Sequence, residues 1–439
     1  MPYSLTIQAF IDQQWRDALV MQFANPEQVE GHRCASGYVQ SYLLDHLDLI
    51  DTPFAESVSV CNRLGWHSQY TSGFPAFVYD IIPSGAARKS LERRFGHERP
   101  VDMDLNLFLL ERCAPAPIGH LRVKESISHI DANSRVAFSH ADVVERTSAF
   151  LEYAYEQGAA IGGATGAGGE APKLLMTEDA SGDLHADATL PDEQAHRHWL
   201  VKFARNQAGE RDRDILRTEY HYYQAIRQLG LDTIPADGLV LEEADRPSLW
   251  MPRFDRRASG GKVERVALES VYSLCDNTRP GSHMQHEDVI ARLVQLWTEA
   301  GQQADITELV FEYVRRDLLN RILGNSDNHG RNTSIARSGG RLALAPIYDL
   351  APMVLDPEGI SRVTKWRDER LGEPQWRDVC AQLNAFADPE TIYERLRQAA
   401  RDFLALPDLL SGIPTGIKQA TGRLPVLQLE LNLKRWGLL

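Results

Sequence analysis

Hydrophobic residues in the last third of the chain repeat with the spacing of a helix. Val310, Val314, Leu318 and Ile322 recur at every fourth position, so they share one helical face. An apolar stripe of this kind packs against a core while the opposite face stays polar. Gly324 follows, and glycine commonly ends a helix. The pattern therefore predicts an amphipathic helix that leads into a polar loop.

Short apolar segments beyond that loop predict strands. Residues 333–336 and 342–344 flank the turn Ser338-Gly339-Gly340, which indicates a hairpin. After residue 265 the pattern otherwise predicts mainly helices. These helices are expected at residues 285–300, 305–323, 388–406 and 415–436.

Upstream, the pattern alternates between strands and one helix. Residues 199–203 form a short apolar segment typical of a strand, and residues 214–229 show helical spacing. Residues 238–242 and 248–254 flank a polar turn and predict a second hairpin. A strand-rich lobe followed by a helical lobe is the layout of a bilobal kinase.

These elements predict an α/β (α+β) fold in three parts. Residues 1–145 would form an amino-terminal α/β subdomain, 146–257 a strand-rich lobe and 258–439 a helical lobe. Residues 158–169 hold six glycines in twelve positions. Such a segment is either a flexible linker or a loop whose backbone N–H groups approach a phosphate.

Composition and charge narrow the classes of function. The 439 residues are 43% hydrophobic with a net charge of −14, which fits a globular protein and argues against extended nucleic-acid binding by the chain alone. No apolar run approaches the roughly 20 residues that span a bilayer, and no secretion signal is visible. The five cysteines are scattered, which argues against disulfides and zinc. We therefore expect a cytoplasmic protein without membrane contact.

The polar loop carries the most informative spacing in the chain. Asp327 and Asn332 stand five residues apart, and Asp349 follows after the predicted hairpin. In protein kinases the first Asp orients the acceptor hydroxyl, while the Asn and the later Asp hold magnesium. A solvated turn is the alternative for the first two positions alone, because turns favour these residue types. An EF-hand is excluded because Gly330 falls at the fourth loop position rather than the sixth.

A lysine and a glutamate upstream form a second candidate pair. Lys202 lies inside the predicted strand, and Glu219 follows 17 residues later in the predicted helix. A kinase strand carries such a lysine toward the nucleotide phosphates, paired with a glutamate of the next helix. The alternative is a surface lysine whose stem lies along a strand edge. Apolar residues of the segment 248–254 would enclose adenine in a kinase hinge.

Together these segments resemble the HipA-type serine/threonine kinases, the toxins of bacterial HipA–HipB toxin–antitoxin systems. The resemblance extends over nearly the whole chain. It implies a bilobal protein-kinase-like fold with an added amino-terminal α/β subdomain, and a kinase that uses ATP and Mg²⁺. It is carried by FVYDIIPSG (77–85), LLERCAPAPIGHLRV (109–123), GGEAPK (168–173), HWLVKF (198–203), TEYHYYQAIRQLGL (218–231), RFDRR (253–257), GNSDNHGRNTSI (324–335) and APIYDLAP (345–352).

The resemblance also implies a role for each matching residue. Asp327 would be the catalytic acid/base that orients the acceptor hydroxyl. Asn332 and Asp349 would bind Mg²⁺. Lys202 would contact the α- and β-phosphates, and Glu219 would position it.

Two further segments would complete the nucleotide site. The backbone from Met251 to Phe254 would hold adenine. Lys173, together with Gly168 and Gly169, would cover the phosphates.

The chain departs from the family in the glycine-rich loop. Well-known members carry a serine there whose autophosphorylation ejects the loop and silences the kinase. This chain has Ala164-Thr165-Gly166 at the matching place, so Thr165 is the candidate autophosphorylation site. Pro252 stands where some members have an acid, so backbone groups alone would contact adenine there.

The resemblance further implies partners and a biological role. A HipA-type toxin would phosphorylate a housekeeping protein, such as an aminoacyl-tRNA synthetase, and arrest growth. A HipB-like DNA-binding antitoxin would be its partner, so nucleic acid would be contacted only indirectly.

Two alternatives stay open. A small-molecule kinase of the aminoglycoside or choline type shares the spacing of Asp327 and Asn332, although residues 1–145 favour the HipA type. A co-repressor subunit of a toxin–antitoxin–DNA complex would need no catalysis. The intact set of Lys202, Asp327, Asn332 and Asp349 argues for an active kinase instead.

Overall fold

The computed structural model describes residues 3–130, 136–157, 159–161, 173–205 and 208–439. Within these ranges, buried apolar side chains form separate clusters in the amino-terminal region, under the central sheet and in the helical region. The predicted mixed α/β class is confirmed. None of the helices in the described ranges combines the length and apolar composition needed to cross a bilayer.

The amino-terminal region is an antiparallel sheet packed against helices. The strands are β1 (Tyr3–Ile11), β2 (Gln14–Phe23), β3 (Arg33–Tyr38), β4 (Gln69–Ser72) and β5 (Leu121–Val123). The helices are α1 (Gln40–Asp45), α2 (Val78–Ile81), α3 (Gly85–Phe95) and α4 (Leu105–Cys113). The strand order is β4-β3-β2-β1-β5. Leu5, Ile7 and Ala9 alternate along β1 and are all buried, as expected for a sheet with one face on a core.

The central region contains a second sheet and the long helix that packs on it. Its strands are β6 (Ala160–Ile161), β7 (Lys173–Asp179), β8 (Leu184–Ala186), β9 (Ala195–Phe203), β10 (Val240–Glu242) and β11 (Ser248–Pro252). Its helices are α5 (His140–Glu145), α6 (Ser148–Glu156) and α7 (Glu210–Gln228). The strand order is β10-β11-β9-β7-β6, with β8 paired to β7. Helix α7 begins where the Gly209 N–H donates to the Asp212 carboxylate at 3.1 Å.

The carboxy-terminal region is mainly helical. Its strands are β12 (Arg256–Ser259), β13 (Lys262–Arg265), β14 (Ala267–Ser270), β15 (Met284–Gln285), β16 (Ser334–Ser338), β17 (Arg341–Leu344) and β18 (Thr364–Lys365). Its helices are α8 (Val271–Leu274), α9 (His286–Glu299), α10 (Ile306–Ile322), α11 (Trp376–Gln382), α12 (Pro389–Phe403), α13 (Leu406–Leu409), α14 (Thr415–Lys418) and α15 (Leu429–Arg435). Strands β14, β16 and β17 form a small sheet beside the polar loop.

The predicted single helix over residues 415–436 is wrong. The structure has α14 and α15 at its two ends, joined by a 3₁₀ turn at Pro425–Gln428. Pro425 has no backbone N–H, so it cannot continue a helix but can begin one turn of it. Gly422 just before it also favours a break, because glycine weakens a helix interior.

Candidate active site

The predicted site residues meet in a cleft between the central sheet and the helical region. Lys173, Lys202, Glu219 and Asp349 form its polar end. The same side chains also line an adjoining pocket together with Asp327. Residues from β7, β9, α7 and two loops are therefore brought together, although they are far apart in sequence.

The two lysines are placed by the register of the central sheet. Lys173 of β7 lies directly opposite Lys202 of β9 in the antiparallel ladder. Side chains at directly opposite positions share one face of a sheet. Lys173 Nζ donates to Asp349 Oδ2 at 2.8 Å, and Lys202 Nζ donates to Asp349 Oδ1 at 2.8 Å. One carboxylate thus pairs with two ammonium groups.

Glu219 on α7 holds Lys202 from the other side. Lys202 Nζ donates to Glu219 Oε2 at 2.5 Å, and both side chains are buried. Burial alone would lower the pKa of Lys202, but the charges of Asp349 and Glu219 outweigh it and raise the pKa. The ammonium group is therefore charged at neutral pH and fixed between two carboxylates.

Asp349 follows β17 in a strained backbone conformation. Its φ is +53°, in the left-handed region that most residues with a side chain avoid. Burial would raise the pKa of Asp349, but Lys173 and Lys202 outweigh it and hold the pKa well below its usual range. Strain of this kind persists only where the surroundings enforce it, and it is common at active sites.

Asp327 and Asn332 belong to the same short loop. The Asn332 side-chain amide donates to the Asp327 backbone oxygen at 2.6 Å, so one residue fixes the backbone of the other. Burial and the negative charge of Asp349 raise the pKa of Asp327 to about 6. A carboxyl group with a pKa near physiological pH is suited to proton transfer.

His329 lies beside Asp327 within the loop. The Arg331 backbone N–H donates to His329 Nδ1 at 3.1 Å, so the imidazole proton is assigned to Nε2. Nε2 lies 3.7 Å from Asp327 Oδ1. Burial and the charge of Arg331 lower the pKa of His329 to about 4. The ring is therefore neutral and presents an N–H toward the carboxylate.

A buried acid supports the loop from behind. Asp317 of α10 accepts a hydrogen bond from Asn328 Nδ2 at 3.2 Å and another from Trp366 Nε1 at 2.7 Å. His286 Nε2 lies 3.5 Å from the same carboxylate. All four side chains are buried. The loop is thus tied both to α10 and to the segment after Asp349.

The amino-terminal region also contacts the loop. Arg331 donates to the backbone oxygen of Tyr79 at 2.6 Å and to the Ser84 hydroxyl at 3.0 Å.

Gly330 packs so closely on Tyr272 that a Cβ would lie 2.7 Å from the ring. A larger residue at this position would displace either the loop or the ring.

The opposite end of the cleft is apolar. Met251 at the end of β11 and Phe254 just beyond it line this end together with Leu200 and Tyr348. The Phe254 and Tyr348 rings lie 5.8 Å apart between centroids, at an angle of 33°. Flat apolar walls of this kind suit an aromatic ring system.

Three predicted residues fall outside the described part of the chain. These are Thr165, Gly168 and Gly169. Their proposed roles in covering phosphates and in autophosphorylation stay predictions.

Two supporting residues were not predicted from the sequence, although each left a signal. Tyr223 lies four residues after Glu219, a spacing that places both side chains on one helical face. Asp317 follows Val314 by three residues, which places it on the otherwise apolar face of α10. An acid on such a face usually has specific partners.

Sequence comparisons match the chain to a known family and to a named relative. A model of the HipA-like C-terminal domain family matches residues 165–405. The chain is 26% identical over 298 residues to Toxin YjjJ of Escherichia coli strain K12, a match that covers 66% of this chain and 62% of that relative. The match thus leaves more than a third of the relative's length unaligned.

Solved structures show the fold. HipA from the Shewanella oneidensis MR-1 complex of HipA, HipB and operator DNA matches with a TM-score of 0.64 and 15% identity, covering 98% of this chain and 97% of that chain. The Helicobacter pylori proinflammatory kinase CtkA matches over 62% of this chain and 90% of its own, with 15% identity and a TM-score of 0.38, which is too low to bear on the fold. The HipA match shows that the chain has the fold of HipA over nearly its whole length, as the resemblance predicts. With a family model that matches more than half of its residues, the chain belongs to the family defined by the HipA-like C-terminal domain.

Proposed function

We propose that this protein is an ATP- and Mg²⁺-dependent protein serine/threonine kinase that acts as a growth-inhibiting toxin. The observation that carries the proposal is the placement of Lys202 between two carboxylates. Its ammonium group bonds to Glu219 at 2.5 Å and to Asp349 at 2.8 Å. A lysine fixed by a helix glutamate beside a metal-binding acid is the arrangement that kinases need for phosphoryl transfer.

The cleft has the chemistry that a nucleotide requires. The apolar end around Met251 and Phe254 would hold adenine. At the polar end, Lys173 and Lys202 supply two positive charges for phosphate oxygens. ATP would supply the phosphoryl group that is transferred. Gly168 and Gly169 would cover the phosphates, as the resemblance implies.

Asn332 and Asp349 would hold Mg²⁺. Within the described ranges no group of three or more His, Cys, Asp or Glu side chains is arranged to hold a metal ion. Mg²⁺ does not need such a group, because it usually binds one or two protein carboxylates together with phosphates and water. Asp349 is ionised, as a metal ligand must be, since its lysine partners depress its pKa. Asn332 lines the same cleft and offers a hard amide oxygen.

Asp327 would serve as the base. Its carboxylate would accept a hydrogen bond from the hydroxyl of a serine or threonine and take its proton. The new O–P bond would form as the bond between the γ-phosphorus and the β,γ-bridging oxygen of ATP breaks and ADP leaves. A pKa of about 6 leaves most Asp327 side chains ionised at neutral pH while keeping the group basic enough to accept a proton. The His329 ring beside it, with Nε2 3.7 Å from Asp327 Oδ1, is neutral and so does not cancel the charge of the carboxylate.

The proposed partner rests on the relatives, and the proposed substrate rests on the family resemblance. One relative is named a toxin, and the structural neighbour forms a complex with HipB and operator DNA. We therefore propose a HipB-like DNA-binding antitoxin as partner. As the resemblance implies, we propose a housekeeping protein such as an aminoacyl-tRNA synthetase as substrate. The net charge of −14 supports contact with DNA through that partner only.

Transfer of labelled γ-phosphate tests the proposal. Purified wild type and Asp327→Asn would each be incubated with Mg-ATP and a bacterial lysate. We expect labelled protein with wild type and a loss of at least about a hundredfold with the variant, because the variant keeps the shape of the site but loses the base. Label on an aminoglycoside or choline and on no protein would favour the small-molecule alternative. Equal label with both proteins would contradict the role of Asp327.

A further inference from the structure

Tyr223 is a fully buried phenol that the proposed reaction does not use directly. It lies on α7 four residues after Glu219, and its side chain is 1% exposed. Its hydroxyl donates to Glu219 Oε1 at 3.0 Å. The same oxygen accepts the Leu350 backbone N–H at 3.2 Å. One hydroxyl therefore links α7, whose Glu219 bonds to Lys202, to the loop that contains Asp349.

These contacts close a ring of hydrogen bonds. Glu219 divides its two carboxylate oxygens between Tyr223 and Lys202. Lys202 bonds in turn to Asp349, which precedes Leu350 in the chain. The ring passes through β9, α7 and the loop after β17, so it spans the central sheet and the helical region. Moving any one member breaks contacts made by its neighbours.

We propose that Tyr223 is a positioning residue. It holds the Lys202–Glu219 pair and the loop that contains Asp349 in a fixed position relative to each other. The inference rests on the proposed kinase function and extends it to a buried cleft residue that would act through Glu219 and Leu350. Through Glu219 the hydroxyl orients Lys202 for phosphate. Through Leu350 it fixes the backbone next to Asp349, where the metal would bind.

The hydroxyl rather than the ring carries this role. A phenylalanine would fill the same space in the core, so packing alone does not require tyrosine. A buried phenol needs hydrogen-bond partners, and both partners here belong to the site. Asp349 has a φ of +53°, a conformation that needs support from its surroundings. The bond from the adjacent Leu350 N–H to Tyr223 provides such support.

Tyr222 offers a matched control. It is the preceding residue on the same helix and is also fully buried. Its hydroxyl donates to the backbone oxygen of Leu323 at 2.9 Å rather than to a member of the ring. Tyr222→Phe therefore loses a buried hydrogen bond of similar kind outside the ring, while Tyr223→Phe loses the link between Glu219 and Leu350.

The test compares wild type, Tyr223→Phe and Tyr222→Phe by calorimetric binding of the non-hydrolysable analogue adenylyl imidodiphosphate over a series of Mg²⁺ concentrations. Losing a net hydrogen bond of ordinary strength corresponds to about a tenfold change. We expect Tyr223→Phe to need about tenfold more Mg²⁺ for half-maximal binding, and Tyr222→Phe to match wild type. In the absence of nucleotide, backbone hydrogen–deuterium exchange in the peptide that contains Leu350 should be faster in Tyr223→Phe than in wild type. In Tyr222→Phe it should equal that of wild type.

The outcomes separate this inference from the proposed function. If wild type binds the analogue with Mg²⁺ but the two variants behave alike in binding and exchange, the positioning role is wrong and the kinase proposal stands. If wild type binds no Mg-nucleotide, the proposed function fails and the role of Tyr223 in it fails too. Melting temperatures of both variants show whether a general loss of stability explains any difference.

Discussion

Arg331 donates a hydrogen bond to the Ser84 hydroxyl at 3.0 Å, across 247 residues of sequence. Its other guanidinium nitrogen donates to the backbone oxygen of Tyr79. Arg331 belongs to the loop of Asp327 and Asn332, so the amino-terminal region directly contacts the candidate catalytic loop. We therefore expect the amino-terminal region to influence how that loop is positioned.

Arg331→Lys should slow phosphoryl transfer more than it destabilises the fold. Lysine keeps the charge but cannot reproduce the two-pronged geometry of a guanidinium group. We expect kcat to fall about tenfold or more, because small displacements of catalytic groups have large effects on rate. Steady-state kinetics of phosphoryl transfer from γ-labelled Mg-ATP would measure the change in kcat, and the denaturant midpoint of the same variant would measure the change in stability.

Arg337→Lys is the matched control for that experiment. Arg337 also joins the helical region to the amino-terminal region, through the backbone oxygens of Phe54, Ser57 and Val58. It lies on β16, outside the loop. If both variants lose the same activity, general loosening of the two regions explains the effect and the specific role of Arg331 is wrong.

Asp327→Asn should make the protein more stable at neutral pH while abolishing activity. The pKa of Asp327 is raised from 3.8 to about 6 in the folded protein, so ionisation opposes folding. This penalty is absent below the unfolded pKa of 3.8, grows between 3.8 and about 6, and is complete above about 6. It amounts to roughly 2–3 kcal/mol, which the neutral amide would not incur.

Urea unfolding of wild type and Asp327→Asn at pH 5 and pH 8 measures this effect. We expect the stability advantage of the variant to be larger at pH 8. A variant that is less stable than wild type at both pH values would show that the carboxylate is not destabilised by burial and by Asp349. The activity of wild type should also rise with pH, with a midpoint near 6.

Lys202→Met should destabilise the fold more than Lys173→Met. Lys202 pairs with both Glu219 and Asp349, whereas Lys173 pairs with Asp349 alone. Removing Lys202 leaves Glu219 buried without a positive partner, and breaking a buried pair typically costs about 3–5 kcal/mol. Removing Lys173 leaves Asp349 still bonded to Lys202. Denaturant midpoints would rank the stabilities of the two variants. Equal losses of stability would contradict the claim that Lys202 neutralises more buried charge than Lys173 does.

Asp317→Ala should weaken both the fold and the site. The substitution leaves Asn328 and Trp366 without their shared acceptor, which we expect to cost about 2–4 kcal/mol. Burial would raise the pKa of Asp317, but His286 and Arg362 outweigh it and lower the pKa. The stability that the Asp317 carboxylate provides is therefore present at neutral pH and lost as pH falls through its folded pKa.

Unfolding of wild type and Asp317→Asn at pH 7 and at about pH 2, well below the usual pKa of an aspartate, would measure that contribution. We expect the variant to lose less stability than wild type between the two pH values, because its amide does not titrate in this range. An identical loss for both proteins would show that other groups dominate acid unfolding. Activity measured at pH 7 would report separately on how well Asn328 holds the loop.

Local patterns predicted the elements that carry the site. The strand around Lys202, the helix around Glu219 and the loop from Asp327 to Asn332 all have clear periodicity or spacing, and the structure places them in one cleft. The prediction of a single helix over residues 415–436 was wrong, because the spacing of apolar residues does not indicate the break at Pro425.

Long-range geometry could not be read from these patterns. Lys173 and Lys202 face each other because β7 and β9 pair in one particular register, which depends on the whole sheet. The bond between Arg331 and Ser84 depends on how two regions pack, and neither residue has a local pattern that indicates the other. The positive φ of Asp349 likewise follows from its surroundings rather than its neighbours in sequence.

The most direct test of the central claim is mass-spectrometric mapping of phosphorylated residues in a bacterial lysate treated with Mg-ATP and either wild type or Asp327→Asn. The proposed function predicts phosphoserine or phosphothreonine on one or a few bacterial proteins with wild type, and none of these sites with the variant. Phosphorylation that is equal in the two samples, or absent from both while nucleotide still binds, would contradict the assignment of this protein as an Asp327-dependent protein kinase.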